Sequence, residues 1–419
     1  MDGKNIGMIR FFHITHRIKI AGRNLMAHWR KTWAIVAGIG LGICALTLVG
    51  GYYEYNFWGL KQSLVRSQYG HLQIYPQQYR AHRDTEPFRY SLERSAELIS
   101  LLEQDPDIQS AVPRSRAMGV AVGPVASKAV EIWGVDPERE SELFTFFSAR
   151  RGTGLGRDDY GCQMSPLLAE SLGLALNDTI TLTGVREDGR VNMVEVTVQI
   201  LIASYAEEFN RLAVFVPAAV FADLFGTDAI HEIALVCADD RDLASRRDRL
   251  QARLWEGGWE TDISLWSEQA VYYHQVVTYY QGFYRLVLAA AALVVFFAVG
   301  TAMSLILYER RREFGIYLSM GTGRRFLISG IFTETLMAGI AGLLGGAFLA
   351  FASAGFINLA GGIFMPAPPG MSTAIQVLIR FSPQAASLSL VTALLIPPLA
   401  LIIPLRRIMG QDIVALLDG

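Results

Sequence analysis

Charge is scarce in this sequence. Only 18% of its 419 residues are charged and the formal net charge is −2, while 52% are hydrophobic and the mean hydropathy is +0.29. So balanced and thin a charge supplies no basic surface for nucleic acid, so no nucleic-acid partner is expected. The chain is too apolar for an ordinary soluble protein and too charged for one wholly embedded in a membrane. Cysteine is scarce too. Cys44 lies in an apolar run, and Cys162 and Cys237 lie in the polar middle. Three widely spaced cysteines without a CxxC make no disulfide framework. A Cys162–Cys237 bridge and two small buried hydrophobes both fit the spacing, and the second is the simpler expectation.

Catalytic signatures are also missing. The chain has no HExxH, no GxSxG, no Walker A sequence and no SxxK with partners. GTGLGR at 152–157 resembles a dinucleotide fingerprint, but Arg157 stands at the third glycine position and no clear strand precedes it, so a flexible loop is expected. His71, His82, Asp84 and Glu86 are metal-ligating types at a spacing that matches no standard site, and a solvated loop is the expectation. The chain therefore reads as a non-enzyme with no catalytic residue, metal or cofactor of its own.

What the chain does have is long apolar runs. Residues 32–53, 286–308, 326–360 and 384–405 each reach the roughly 20 residues that a bilayer-spanning helix needs. The third is longer than one span and is expected to tilt or to extend past the bilayer. Lys4, Arg10, Arg17, Lys19, Arg23, Arg30 and Lys31 precede the first run, Arg310, Arg311, Arg312, Arg324 and Arg325 lie between the second and third, and Arg406 and Arg407 follow the fourth. The connection between the third and fourth runs has only Arg380. By the positive-inside rule, both termini and the 309–325 segment are cytoplasmic and residues 55–284 lie outside. Tyr52, Tyr53, Tyr55, Trp58, Tyr279, Tyr280, Phe283 and Tyr284 suit the membrane interfaces. The long basic leader and the absence of an A-x-A site make the first run a retained anchor rather than a signal peptide. Within 1–31, Ile9, Phe12, Ile18, Ala21, Leu25 and Trp29 recur at helical steps, which predicts an amphipathic helix on the inner face.

Between the first two spans, strand signals at 71–76, 130–135, 179–185, 191–204, 212–218 and 231–238 alternate with helical periodicity at 91–105, 165–175 and 242–258. Ser165 followed by Pro166 is a helix start. The expected architecture is an α-helical membrane protein with four transmembrane helices (32–54, 285–308, 326–360, 384–405). A large α+β extracytoplasmic domain over 55–284 is inserted between helices 1 and 2. It has a helical stalk and two lobes, the second inserted at about 136–230. A connection at 361–383 is extracytoplasmic and the tail 406–419 cytoplasmic.

Two features inside this frame carry chemistry. Glu334 sits about two turns into the third span, where a carboxylate costs at least a few kcal/mol unless it faces a partner helix or water, so it is expected at a helix contact. The glycines 339, 342, 345 and 346 of that span permit close helix approach, and Pro397, Pro398 and Pro404 imply a loosened fourth span. The segment 309–325 is denser than a loop requires. Glu309, Arg310, Arg311, Arg312 and Glu313 continue the second span. Phe314, Ile316, Tyr317, Leu318 and Met320 then form an apolar surface on a short helix, and Gly321 and Gly323 end it before Arg324 and Arg325. Exposed apolar groups flanked by charge suit a docking surface for another protein.

ERRREFGIYLSMGTGRRFLISGIFTETL, from Glu309 onward, resembles the signature of the FtsX-like permease family, with E-R-x-x-E-[FI]-G-I, a small-residue turn, paired basics and a later glutamate. The order of one span, a large outer domain and three spans resembles the MacB/LolC/LolE type of ABC transporter. GHLQIYP at 70–76 and GVDPERE at 134–140 look like its lipoprotein-releasing branch. The resemblance implies a periplasmic core domain and a coupling segment (Glu309, Arg311, Arg312, Glu313, Phe314, Gly315, Met320, Gly321, Arg324, Arg325) that contacts a separate ATPase. It also implies two copies of that ATPase, which binds the ATP and Mg, a second permease, a bacterial inner-membrane location and mechanotransmission to an outer substrate. Lipoprotein release is the first expectation for that substrate. Export with a periplasmic adaptor, or activation of cell-wall hydrolases without transport, are the alternatives.

Overall fold

The computed structural model describes residues 22–417 apart from 24–25, 28, 84, 148, 153, 205–206 and 367–374. Most of the amphipathic helix expected over 1–31 lies outside the described residues. In chain order, helix α1 (Trp29–Leu64) leads through a π turn (Val65–Tyr69) to strand β1 (Leu72–Pro76). Then follow α2 (Ser95–Glu103), β2 (Ile108–Val122), β3 (Ser127–Val135), α3 (Pro137–Leu143), β4 (Ala149–Gly152), β5 (Gly161–Met164) and α4 (Pro166–Leu172). Next are β6 (Thr179–Val185), β7 (Val191–Ala203), β8 (Ala213–Pro217), α5 (Ala218–Phe225), β9 (Glu232–Cys237), α6 (Leu243–Glu256) and β10 (Thr261–Leu265). The last helices are α7 (Val271–Glu309), α8 (Arg311–Ser319), α9 (Arg324–Leu359), α10 (Pro383–Met409) and α11 (Ile413–Leu417). The chain divides into two compact units, one of residues 1–56, 278–363 and 376–419, the other of 57–277 and 364–375.

The first unit is helical. α1, α7, α9 and α10 are the four helices long and apolar enough to cross a membrane. Ile35, Ile39, Ile43, Val295, Val299, Ala338, Ala393 and Leu401 form its core. Leu293, Phe297, Phe348 and Leu395 point outward, the reverse of a soluble bundle and what a lipid surround favours. Glycine sets the helix spacing. A Cβ on Gly346 would lie 2.4 Å from the Gly40 carbonyl, one on Gly342 2.6 Å from Ile39, and one on Gly339 2.6 Å from the Ala393 carbonyl. Three of the four glycines thus admit a neighbouring helix, while Gly345 has no atom within 4 Å. α10 carries Pro397, Pro398 and Pro404 without ending.

The second unit is a mixed α+β domain on one ten-stranded sheet, with two large cores and smaller buried clusters beside them. Its pairings close a ring: β2 with β3, β3 with β8, β8 with β5, β5 with β7, β7 with β6, and β6 back to β2. Inside this six-stranded barrel lie Ala117, Ala121, Val130, Ile132, Cys162, Met164, Ile180, Leu182, Val196, Val198, Val214 and Val216, joined by Leu172 of α4 and Phe221 and Leu224 of α5. The period-2 alternation of small and branched side chains fills a small barrel without a channel. The other core gathers Leu72 and Ile74 of β1, Leu98 and Leu102 of α2, Ile233 and Leu235 of β9, Leu250 and Leu254 of α6, and Ile263 of β10.

β2 belongs to both halves. Its first half pairs with β9 and its second half with β6. The two lobes are therefore joined by a shared strand, and the barrel core already begins at Ala117. At the junction Arg114 is fully buried. Its guanidinium contacts Glu140 of α3, lies 3.4 Å from Glu232 of β9, and donates to the Gln68 carbonyl. The guanidinium carbons of Arg114 and Arg116 both lie over the Trp133 ring, 5.3 and 5.0 Å from its centroid. Burial pushes the Glu232 carboxyl up, against the pull of Arg114 and Arg116. The GVDPERE stretch has a structural job here. The Asp136 carboxylate accepts the Glu138 and Arg139 amides, Pro137 takes the first helical position, and Glu140 clamps α3 onto the sheet.

Candidate coupling site

The segment opens with a one-residue break. α7 ends at Glu309, and Arg310 (φ −87°, ψ 4°) leaves helical geometry before α8 begins. The backbone keeps its bonds across the break: the Arg310 amide donates to the Ile306 carbonyl at 3.1 Å and the Phe314 amide to the Arg310 carbonyl at 3.1 Å. α8 closes in a Schellman arrangement. The Gly321 amide donates to the Leu318 carbonyl and the Thr322 amide to the Tyr317 carbonyl, both at 3.0 Å. Gly321 alone adopts the left-handed conformation this needs (φ +86°). Gly323 is extended and leads into α9.

The expected apolar surface of α8 splits into two faces. Phe314 is 2% exposed and sits in the core of the helical unit, with Leu318 packed against it. Gly315 is buried because α11 crosses it: a Cβ there would meet Leu417 Cδ2 at 3.0 Å and Leu416 Cβ at 3.2 Å. Phe314 is therefore a core residue of the helical unit rather than a free docking group. Ile316, Tyr317 and Met320 form the outward face, at 46%, 47% and 77% exposure. The charges flank it. Glu309 pairs with Lys31, Arg311 lies 4.1 Å over the Tyr308 ring, and Arg324 donates to the Gln411 carbonyl at 3.2 Å. Arg312, Glu313 and Arg325 are exposed.

Glu334 is buried in α9, and its carboxylate accepts from the Arg310 guanidinium at 3.0 Å. Arg310 was readable in the sequence only as one of several basic residues after the second span. The available signal was its partner, because a carboxylate within an apolar run requires a cation within reach. α11 was also missed, although Ile413, Leu416 and Leu417 keep helical spacing.

The other candidate residues go to structural roles. His71 Nδ1 accepts the Cys237 amide at 3.0 Å, while His82 is on the surface beside Tyr90. Asp84 lies outside the described residues. Among the described residues, no three His, Cys, Asp or Glu side chains gather as a metal set. Arg157 of the GTGLGR loop pairs with Asp136 at 3.0 Å and Glu138 at 2.7 Å, fastening the start of α3. All three cysteines are free thiols, and Cys162 and Cys237 belong to different cores. Burial pushes the Cys162 thiol up to about 12.

Two family matches cover most of the chain. Residues 32–253 match the MacB-like periplasmic core domain, and residues 285–413 match the FtsX-like permease C-terminal region. Among curated proteins, none matches the chain in sequence. Among solved structures, the periplasmic region of MacB from Actinobacillus actinomycetemcomitans is similar at 12% identity and a TM-score of 0.35, covering 49% of this chain and 92% of that one. The extracellular domain of the ABC-type transporter YknZ from Gram-positive bacteria is similar at 13% identity and a TM-score of 0.33, covering 46% and 98%.

Proposed function

The chain belongs to the MacB/FtsX-type family of ABC transporter permeases, and from that premise we propose that it is a permease subunit worked by a separate cytoplasmic ATPase. α8 is the coupling helix, and Ile316, Tyr317 and Met320 are its contact face. The observation that carries this reading is the form of the 309–325 segment. It is a short helix between two span helices, packed on one side through Phe314 and Gly315 and apolar and open on the other. A connecting loop has no need of such a face. Both termini and α8 are cytoplasmic in a bacterial inner membrane, in line with the basic flanks. Two such permeases, identical or paralogous, pair over two ATPase subunits. ATP-driven closure reaches the α+β domain through the helices Trp29–Leu64 and Val271–Glu309, each of which contributes residues to both units.

The substrate step belongs to the α+β domain, and the substrate we propose is a lipid-anchored protein released from the membrane. What supports this is an uncovered wall of the barrel. Strand register sets Val120 of β2 opposite Thr183 of β6, and Thr183 and Val185 of β6 opposite Met193 and Val191 of β7. Met118, Val120, Val122, Val185, Val191 and Met193 are all exposed there, an apolar patch suited to acyl or apolar peptide groups. Purification in mild detergent followed by mass spectrometry tests the assignment. An ABC ATPase at one copy per permease is expected. Photo-crosslinking from position 120 is expected to capture a lipoprotein. An adaptor captured there instead would move the substrate to export, and a cell-wall hydrolase would make the chain a regulator.

A further inference from the structure

Arg310 touches three elements at once. Its own backbone is the break between α7 and α8. Its guanidinium reaches Glu334 on α9 at 3.0 Å through Nη1 and Glu313 on α8 at 3.3 Å through Nε, and its Cζ lies 5.4 Å over the ring of buried Phe314. The Arg310 and Glu334 side chains are 11% and 12% exposed. An ion pair held this far from water and this close to apolar helices costs desolvation, which only good geometry recovers. The neighbouring buried residues of α9 do not otherwise require charge: Ile331 and Ala338 lie in the apolar core, and the Thr335 hydroxyl donates to the Ile331 carbonyl. A turn between two span helices could be made without folding an arginine back into the bundle.

We infer that Arg310 is a positioning residue that locks the coupling helix to the third span helix through Glu334. This rests on the reading of α8 as the coupling helix and adds how its motion is passed on. The Gly321 turn and the close approach of α11 to Gly315 shape α8, while the Arg310–Glu334 pair fixes its angle to α9. A push on the outward face of α8 is then delivered to α9 as a rigid displacement. Without the pair, α8 keeps its ATPase contacts and turns without moving α9.

The test uses the full chain in detergent with Glu334→Gln, Arg310→Glu with Glu334→Arg as a charge swap, and each half of the swap alone. Hydrogen exchange over residues 311–319 reads positioning without any ATPase. We expect at least tenfold faster exchange in Glu334→Gln and in each single reversal, and a return toward the wild-type rate in the swap. The second readout is permease-stimulated ATP hydrolysis with the partner ATPase at saturating concentration. Stimulation should fall at least fivefold in Glu334→Gln while ATPase binding is kept within about twofold, a split that simple loss of docking would not give. Unchanged exchange in Glu334→Gln, or a swap no better than its single reversals, overturns the inference. A wild-type chain that binds no ATPase while the exchange results hold would instead overturn the coupling-helix reading and leave the lock standing.

Discussion

At the residue scale, single groups carry conformational and electrostatic loads that can be measured one at a time. Gly321 holds a left-handed φ with no atom within 4 Å of a would-be Cβ, so a side chain there strains only the backbone. Gly321→Val is expected to cost about 1–2 kcal/mol and to fray the end of α8, seen as faster hydrogen exchange at Met320 to Thr322. Glu140→Ala leaves Arg114 buried with one carboxylate fewer, and about 3–5 kcal/mol of stability should go with it. Thermal unfolding of the full chain reads that loss, and a shift of under about 1 kcal/mol would contradict the clamp. His71 and His231 give a pH dependence. Burial pushes both down to about 4, with Arg66 and Arg116 adding to it. His71 also faces Asp240, Lys61 and Arg246, while His231 stacks on Tyr79 at 5.3 Å and lies beside Phe88 and Phe221. Between pH 6.5 and about 4 the unfolded chain takes up these protons and the folded chain does not, so stability falls as pH falls. The slope approaches about 1.4 kcal/mol per pH unit for each histidine. The raised carboxyl of Glu232 works the other way at the acid end. Melting from pH 7 to pH 4.5 checks this, and His231→Gln should flatten about half the slope.

At the element scale, the helices that cross the membrane were legible because their apolar runs are long, and β3, β6, β7, β8 and β9 were legible from branched and aromatic residues. β2 was not. Its sequence IQSAVPRSRAMGVAV holds Pro113, Arg114 and Arg116, which interrupt any strand pattern, and the arginines find their partners Glu140, Glu232 and Glu131 only in the fold. The strand that joins the two lobes is thus written in long-range ion pairs rather than in local pattern. α8 was legible as a helix with an apolar surface. Which of its apolar residues face outward was not, because the answer depends on α11, placed about 100 residues later. That distinction makes a prediction. Met320→Asp and Tyr317→Asp should remove ATPase binding by at least tenfold while the chain stays folded in detergent, whereas Phe314→Asp should lose stability first, since it places a charge in a packed core. Size-exclusion behaviour and ATPase co-purification separate the two outcomes. Gly346→Leu belongs to the same scale. It should force α1 and α9 apart at Gly40 and lower the yield of folded protein, and a normal yield would contradict the close crossing.

At the scale of the whole molecule, a thinly charged chain builds four long apolar helices and a separate α+β unit. The α+β domain has a filled barrel, His71, His231, Cys162 and Cys237 are buried in its packing, and its motif residues 134–140 fasten one lobe to the other. Outside the long apolar helices, the barrel wall and the outward side of α8 both leave apolar side chains open on the surface. The proposed function assigns the α8 face to an ATPase and the barrel wall to an outer substrate. The most direct test of this account is a photo-crosslinker at position 320, activated in native membranes with and without ATP. The account predicts an adduct with an ABC ATPase subunit whose yield changes with nucleotide. Contradiction would be a crosslinker at 320 that reacts only with lipid or water while the chain is folded and inserted.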